Sequence, residues 1–276
     1  MALVQFYHES RYLKGNQQVW VILPDLVKDK TPEEFYRSGK KYKVLWLLHG
    51  TFGDASDWVR KSNVELYAVE RELIVVMPSA LNSNYSNWDE YMMGYSMYDY
   101  LIRELMPLVY GWLPASERRE DNFIAGLSMG ARGTIKYAVN FPDKFAGAAA
   151  LSQIPTDLSG MQEEDFNGRD PFASRMRTAV INAGGLDKYL ASPENTWELI
   201  NRLAGTGRLP KFFFSCGTAD MLYENYLVFK THAKEIGLEA EFLEIEGYKH
   251  EWRFWDQALE KAMDYFGLEK HEISII

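Results

Sequence analysis

The 276-residue sequence predicts an α/β fold, a mostly parallel central sheet flanked by helices. Three observations carry this. Short, almost unbroken apolar runs such as Val44–Leu48 (VLWLL) and Leu73–Met77 (LIVVM) suit strands buried on both faces of a parallel sheet. Segments with apolar residues three and four apart, the signature of amphipathic helices, alternate with those runs. One junction, Asn122–Asn140, reads as apolar strand, glycine-bracketed turn and helix in succession.

The elements follow in chain order. Gln18–Leu23 (QVWVIL) is β-rich and ends at Pro24, and the polar stretch Asp25–Lys43, which holds Pro32, reads as a loop. Val44–Leu48 stops at His49-Gly50, and Leu73–Met77 stops at Pro78. Tyr98, Leu101, Ile102, Leu105, Leu108, Val109 and Trp112 mark a helix with a kink expected at Pro107. Phe123–Ala125, Phe145–Leu151, Phe212–Cys216 and Glu241–Ile245 complete the strand set. Two late helices close at glycines, one through Leu222, Tyr226, Phe229, Ala233 and Ile236 to Gly237, the other from Trp252 to Gly267. Between Gln153 and Gly207 the alternation stops. That region is expected to be an insertion packed over the sheet, within a single domain spanning residues 1–276.

Composition narrows the function. A hydrophobic content of 47% with 25% charged residues is that of a folded, soluble domain. A formal net charge of −9 disfavours phosphate backbones, so no nucleic acid partner is expected. No apolar stretch is long enough for a membrane span, and MALVQFYHES lacks a basic start followed by an apolar run, so a cytoplasmic location is the expectation. Cys216 is the single cysteine, which excludes an internal disulfide and fits a reducing compartment. The apolar tail Ile273–Ile276 could dock on a second copy or on its own domain, so a homo-oligomer stays open.

The chemistry concentrates at Gly126-Leu127-Ser128-Met129-Gly130, the G-x-S-x-G pattern of a nucleophile elbow. A serine on a tight strand-to-helix turn stands clear of the sheet. The flanking glycines keep side chains out of its way, and the following helix aims free N–H groups at developing negative charge. In such a fold the chain order is serine, acid, histidine. Of the five histidines, His250 sits in a loop between the last strand and the last helix and is the expected general base. Asp220 is the first carboxylate after Phe212–Cys216 and is expected to orient it, with Asp187 as runner-up. His250-Glu251 does not extend to the zinc motif H-E-x-x-H, because position 254 is Phe, so no metal and no cofactor is expected.

The oxyanion donors should be the N–H of Met129, plus one from His49-Gly50-Thr51-Phe52-Gly53, Thr51 before Phe52. His49 reads as a residue pinning that loop. Candidates for the substrate pocket are Trp58, Tyr85, Trp88, Met161 and Trp197, with Tyr91, Met92, Phe166, Phe172, Met176 and Tyr189 nearby in sequence. Each of these serves equally well as ordinary core.

Taken together, Leu47-Leu48-His49-Gly50, Asp57-Trp58, the elbow pentapeptide, Phe141-Pro142-Asp143, Gly217-Thr218-Ala219-Asp220 and His250-Glu251-Trp252-Arg253-Phe254-Trp255 resemble the esterase D-like family. The resemblance runs from about Gln18 to Phe266. It implies the α/β-hydrolase fold and a cofactor-free serine carboxylesterase with a Ser-His-Asp triad. Its substrates would be small-molecule or carbohydrate-linked esters with short acyl, acetyl or cinnamoyl groups. Where relatives often carry a further glycine after the elbow, this chain has Ala131. The loop Thr51-Phe52-Gly53 lacks the cysteine usual in S-formylglutathione hydrolases, so the tributyrin or cinnamoyl esterase branch is the nearer likeness. An S-formylglutathione hydrolase or acyltransferase on the same scaffold is the alternative, and a non-catalytic binding module the more distant one.

Overall fold

The computed structural model describes residues 1–26, 30–91, 93–168 and 171–271. Ten strands occur among them: β1 (Ala2–Ser10), β2 (Gly15–Leu23), β3 (Val44–Leu48), β4 (Ile74–Pro78), β5 (Asn87–Trp88), β6 (Tyr95–Ser96), β7 (Asn122–Leu127), β8 (Gly147–Leu151), β9 (Lys211–Gly217) and β10 (Ala240–Ile245). Eight of them form one sheet in the order β1-β2-β4-β3-β7-β8-β9-β10, and β5 pairs with β6. From β4 to β10 every pairing is parallel, whereas β1/β2 and β2/β4 are antiparallel. This is the α/β-hydrolase fold the sequence predicts.

The apolar runs explain the centre of the sheet. Every residue of β3, β4, β7 and β8 is buried, because helices cover both faces. One core face gathers Trp46, Ile124, Ala148 and Phe214 under the elbow helix, and the other gathers Leu45, Leu47, Ala149 and Phe213 under the last helix. The edges read differently. β1 alternates exposed with half-buried residues, a pattern an antiparallel edge strand can carry and one the apolar-run criterion passes over. The expected kink near Pro107 takes the form of a π-helical turn, Leu101–Leu105, in which the Met106 N–H bonds back to Leu101.

Chain order places the site. The path runs from β3 outward to β4, then returns to the other side of β3 as β7. Ligand crevices of open α/β sheets lie outside the carboxyl ends of the strands at such a switch point. Gly50 follows β3 there and Ser128 follows β7.

The region 153–207 is helical, not irregular. It holds helices Pro171–Ala183, Leu186–Leu190 and Thr196–Leu203 and a small core of its own, formed by Leu158, Phe166, Met176, Val180 and Tyr189. It joins the main body through apolar side chains, Ile154, Trp197, Leu199 and Ile200, and through polar ties. The buried Lys136 Nζ donates to Glu194 at 2.5 Å as well as to the Asn84 and Tyr85 carbonyls. Burial holds the Lys136 ammonium down at about 8 despite the Glu194 charge.

Candidate functional site

Ser128 is the one residue between Asp121 and Ala131 that is not buried. Its backbone sits at φ 52°, ψ −116°, a conformation strained for any residue with a Cβ. The surroundings hold it there. The Ser128 N–H donates to the Leu151 carbonyl at 2.8 Å. A Cβ at Gly126 would come within 2.5 Å of the Gly130 backbone, and one at Gly130 within 2.4 Å of the Leu48 carbonyl. The two glycines therefore let the helix Met129–Asn140 start directly against β3 and β7. At its N-terminus the Met129 N–H has no hydrogen-bond partner among the described residues.

The loop after β3 closes on the same point. His49 is buried, and its Nε2 accepts from the Ala80 N–H at 2.8 Å, which leaves Nδ1–H to donate to the Gly50 carbonyl at 2.7 Å. Burial holds its pKa down, consistent with a neutral ring pinning the loop. A Cβ on Gly50 would be 3.6 Å from Ser128 Cβ, so this backbone borders Ser128. The Thr51 N–H has no partner among the described residues, whereas the Phe52 N–H donates to Asn82 Oδ1 at 2.8 Å. Phe52 is thus already committed, and its side chain is 90% exposed.

At the far side of the sheet edge, His250 Nδ1 lies 2.9 Å from Asp220 Oδ2. The Asp220 side chain is fully buried. Burial pushes its carboxyl up, but hydrogen bonds from His250, the Leu222 N–H and Ser152 outweigh that and hold it below the ordinary aspartate value. It stays ionised and fixes Nδ1 as the protonated nitrogen, so Nε2 is the basic one. Asp220 also caps the segment that follows, accepting from Leu222 N–H at 3.0 Å. Ser128 and His250 make no hydrogen bond to each other among the described residues. Catalytic hydrogen bonds commonly tighten only once substrate is bound.

Two supports were invisible in the sequence. Ser152, buried and at φ 55°, lies beside the Asp220 carboxylate and accepts the Trp255 indole N–H at 3.0 Å. Trp255 in turn packs edge-on against the His250 ring, centroids 4.9 Å apart. Only the unexpected positive φ after β8 could have marked Ser152, and that is a property of structure alone.

The pocket candidates scatter. Trp58 is 1% exposed, donates its indole N–H to the Leu48 carbonyl and meets Trp252 edge-on, so it belongs to the core behind the His250 loop and not to a pocket wall. Tyr85 is fully buried beneath Gly133, with its hydroxyl donating to the His49 carbonyl. Trp197 lies on His232 and Phe229 of the helix Tyr223–Glu235. All three fill space because large rings are the cheapest way to bury area. Met161 borders the small core of the insertion. Trp88 does line a cavity, of about 250 Å³, with Leu81, Asn82, Ser83, Tyr91 and Tyr95. Asp187 is exposed on its helix and bonds to no histidine among the described residues. Met92, the Phe172 side chain and the tail Ile273–Ile276 lie outside the described residues.

Among the described residues no group of three or more His, Cys, Asp or Glu could hold a metal, and no helix is long and apolar enough to cross a membrane. Cys216 is buried and its thiol is pushed up to about 12 by burial, which makes it a poor nucleophile.

The strained Ser128 turn, the loop after β3 and the Asp220–His250 pair at one sheet edge are the arrangement of an α/β-hydrolase-fold serine hydrolase. Comparison with known proteins agrees. The model of the putative esterase family matches residues 10–266. An acetyl esterase of Caldicellulosiruptor saccharolyticus is 27% identical over 96% of this chain and 98% of its own. Among solved structures, the fluorophosphonate-binding serine hydrolase F of Staphylococcus aureus is 31% identical with a TM-score of 0.78, over 96% of this chain and 98% of that one. An S-formylglutathione hydrolase of the same organism is 30% identical with a TM-score of 0.75, over the same shares. The chain belongs to the putative esterase family and is a serine carboxylesterase.

Proposed function

We propose that Ser128, His250 and Asp220 form the catalytic triad of this esterase and that it acts through an acyl-enzyme. The carrying observation is the 2.9 Å His250–Asp220 hydrogen bond at the sheet edge where the strained Ser128 reaches solvent. His250 Nε2 takes the Ser128 hydroxyl proton as Oγ attacks the ester carbonyl. The oxyanion that forms lies against the Met129 and Thr51 N–H groups, neither of which has a hydrogen-bond partner among the described residues. As the C–O bond breaks, His250 returns the proton to the leaving alcohol. Water, deprotonated by the same nitrogen, then frees the acid and restores Ser128.

Short acyl esters, acetyl above all, on a small molecule or a carbohydrate are the substrates we assign. The acetyl esterase relative supports that reading. A formyl thioester is the second reading, favoured by the S-formylglutathione hydrolase likeness. A panel of formyl, acetyl, butyryl and cinnamoyl esters and thioesters ranks them by kcat/KM. Acetyl esters leading the panel is the expected result. For the triad, His250→Ala should cost on the order of 10⁴ or more in kcat on an aryl acetate. Retention of a tenth of the rate would overturn the assignment.

A further inference from the structure

Three cations gather where the insertion meets the elbow helix, and a single carboxylate faces them among the described residues. Arg132, one turn past Ser128, donates its N–H to the Ser128 carbonyl at 3.1 Å. Its guanidinium bonds to the Tyr189 hydroxyl at 2.7 Å and lies 4.0 Å from Glu194. Lys136 holds the other Glu194 oxygen. That leaves Arg175. It projects from the helix Pro171–Ala183, is half-buried, and donates through Nη2 to the Thr51 hydroxyl at 3.2 Å. No carboxylate among the described residues forms an ion pair with it. Burial, reinforced by the nearby Arg132 charge, holds its pKa below the ordinary arginine value, the opposite of what an ion-paired guanidinium shows.

Half-burying a guanidinium without a counter-charge is costly, and it happens in a chain where 39 acidic residues against 30 basic ones make counter-charges plentiful. A guanidinium offers five N–H donors, and a neutral threonine hydroxyl is a weak match for its charge. Its position gives the cost a use. Thr51 follows Gly50, whose backbone borders Ser128, so the guanidinium stands beside the loop that flanks Ser128.

We propose that Arg175, backed by Arg132, recognises a carboxylate on the substrate, so that the natural ester is an anionic one. The inference rests on the Ser128 reading above. A planar fork and a carboxylate match in two parallel hydrogen bonds, and the low-dielectric flank of the insertion strengthens them. The second cation makes the site attractive to anions and hostile to a cationic ester.

Two matched substrate pairs test this. 4-Nitrophenyl hydrogen succinate against 4-nitrophenyl butyrate places the charge on the acyl side. 4-Acetoxybenzoate against its methyl ester places it on the alcohol side. For each pair the charged-to-neutral ratio of kcat/KM is measured in wild type, Arg175→Gln and Arg175→Lys. Comparing ratios cancels the intrinsic reactivity of each ester. In one pair the ratio should fall about 10- to 100-fold in Arg175→Gln, the loss of a hydrogen bond to a charged group, and fall less in Arg175→Lys. Labelling of Ser128 by a fluorophosphonate in every variant reports that the site is assembled. An unchanged ratio in both pairs with normal labelling overturns the anion site alone. Wild-type protein that takes no label overturns the Ser128 reading and this one with it.

Discussion

The carboxyl edge of the sheet and the insertion above it are built by opposite means. At the edge, backbone dictates: Gly126 and Gly130 are required because a Cβ at each would strike neighbouring backbone, and strand register fixes where Ser128, Asp220 and His250 emerge. The insertion owns a small apolar core, packs Ile154 and Ile200 into the main one, and next to the Ser128 helix is tied by long polar side chains, through Lys136–Glu194, Arg132–Tyr189 and Arg175–Thr51. A rigid backbone site suits one chemistry shared by many relatives. A flank fastened by a few long side chains suits a substrate preference that can change without disturbing that chemistry.

Substitutions should separate the two regions. Ser128→Ala should leave the fold intact and remove esterase activity by a factor on the order of 10⁴ or more, read as kcat/KM on an aryl acetate. Asp220→Asn should cost about 10³ to 10⁴ in turnover, because the wrong imidazole tautomer is then favoured. Asp187→Asn, in the insertion, should leave turnover near wild type. The reverse result would move the acid into the insertion and dissolve the contrast.

Glu194→Gln should act on stability. It leaves the Lys136 ammonium, 1% exposed, without its counter-charge, at a cost of about 3 kcal/mol in a denaturant titration. A midpoint shift under a tenth of the wild-type value would show that the insertion is held by its apolar contacts instead. Ser152→Ala should lower kcat by about tenfold with KM little changed, since it removes one hydrogen bond to a charged acceptor behind His250. A matching rise in KM with constant kcat would mean that Ser152 shapes the binding surface.

The smallest effect concerns His49. Its folded pKa lies below the unfolded imidazole value of about 6.5, so the unfolded chain takes up the proton first as pH falls. The stability it contributes is complete above about 6.5 and is lost as pH drops through the folded value. Thermal melts between about pH 7 and 5 should fall more steeply for wild type than for His49→Asn. Parallel slopes would remove His49 from that account.

The same contrast explains what was legible in sequence. β3, β7 and β9 announce themselves as apolar runs, the elbow and the Asp220 turn follow β7 and β9 in the chain, and the His250 loop lies between the last strand and the last helix, so local pattern sufficed. The insertion's ties are long-range: Lys136 meets Glu194 across 58 positions and Thr51 meets Arg175 across 124. No window of residues displays such pairs. Composition left Trp58, Tyr85 and Trp197 open between pocket and core, because an aromatic side chain looks alike in both. β1 was missed because its alternation, with Leu3 and Tyr7 exposed, lacks the apolar density of a buried strand.

Covalent labelling puts the central claim to its most direct test. Folded wild-type protein is treated with a fluorophosphonate, digested, and the modified peptide identified by mass spectrometry. One adduct, on Ser128 and strongly reduced in His250→Ala, is the predicted result. An adduct on a different serine, or none on folded protein, would contradict the account.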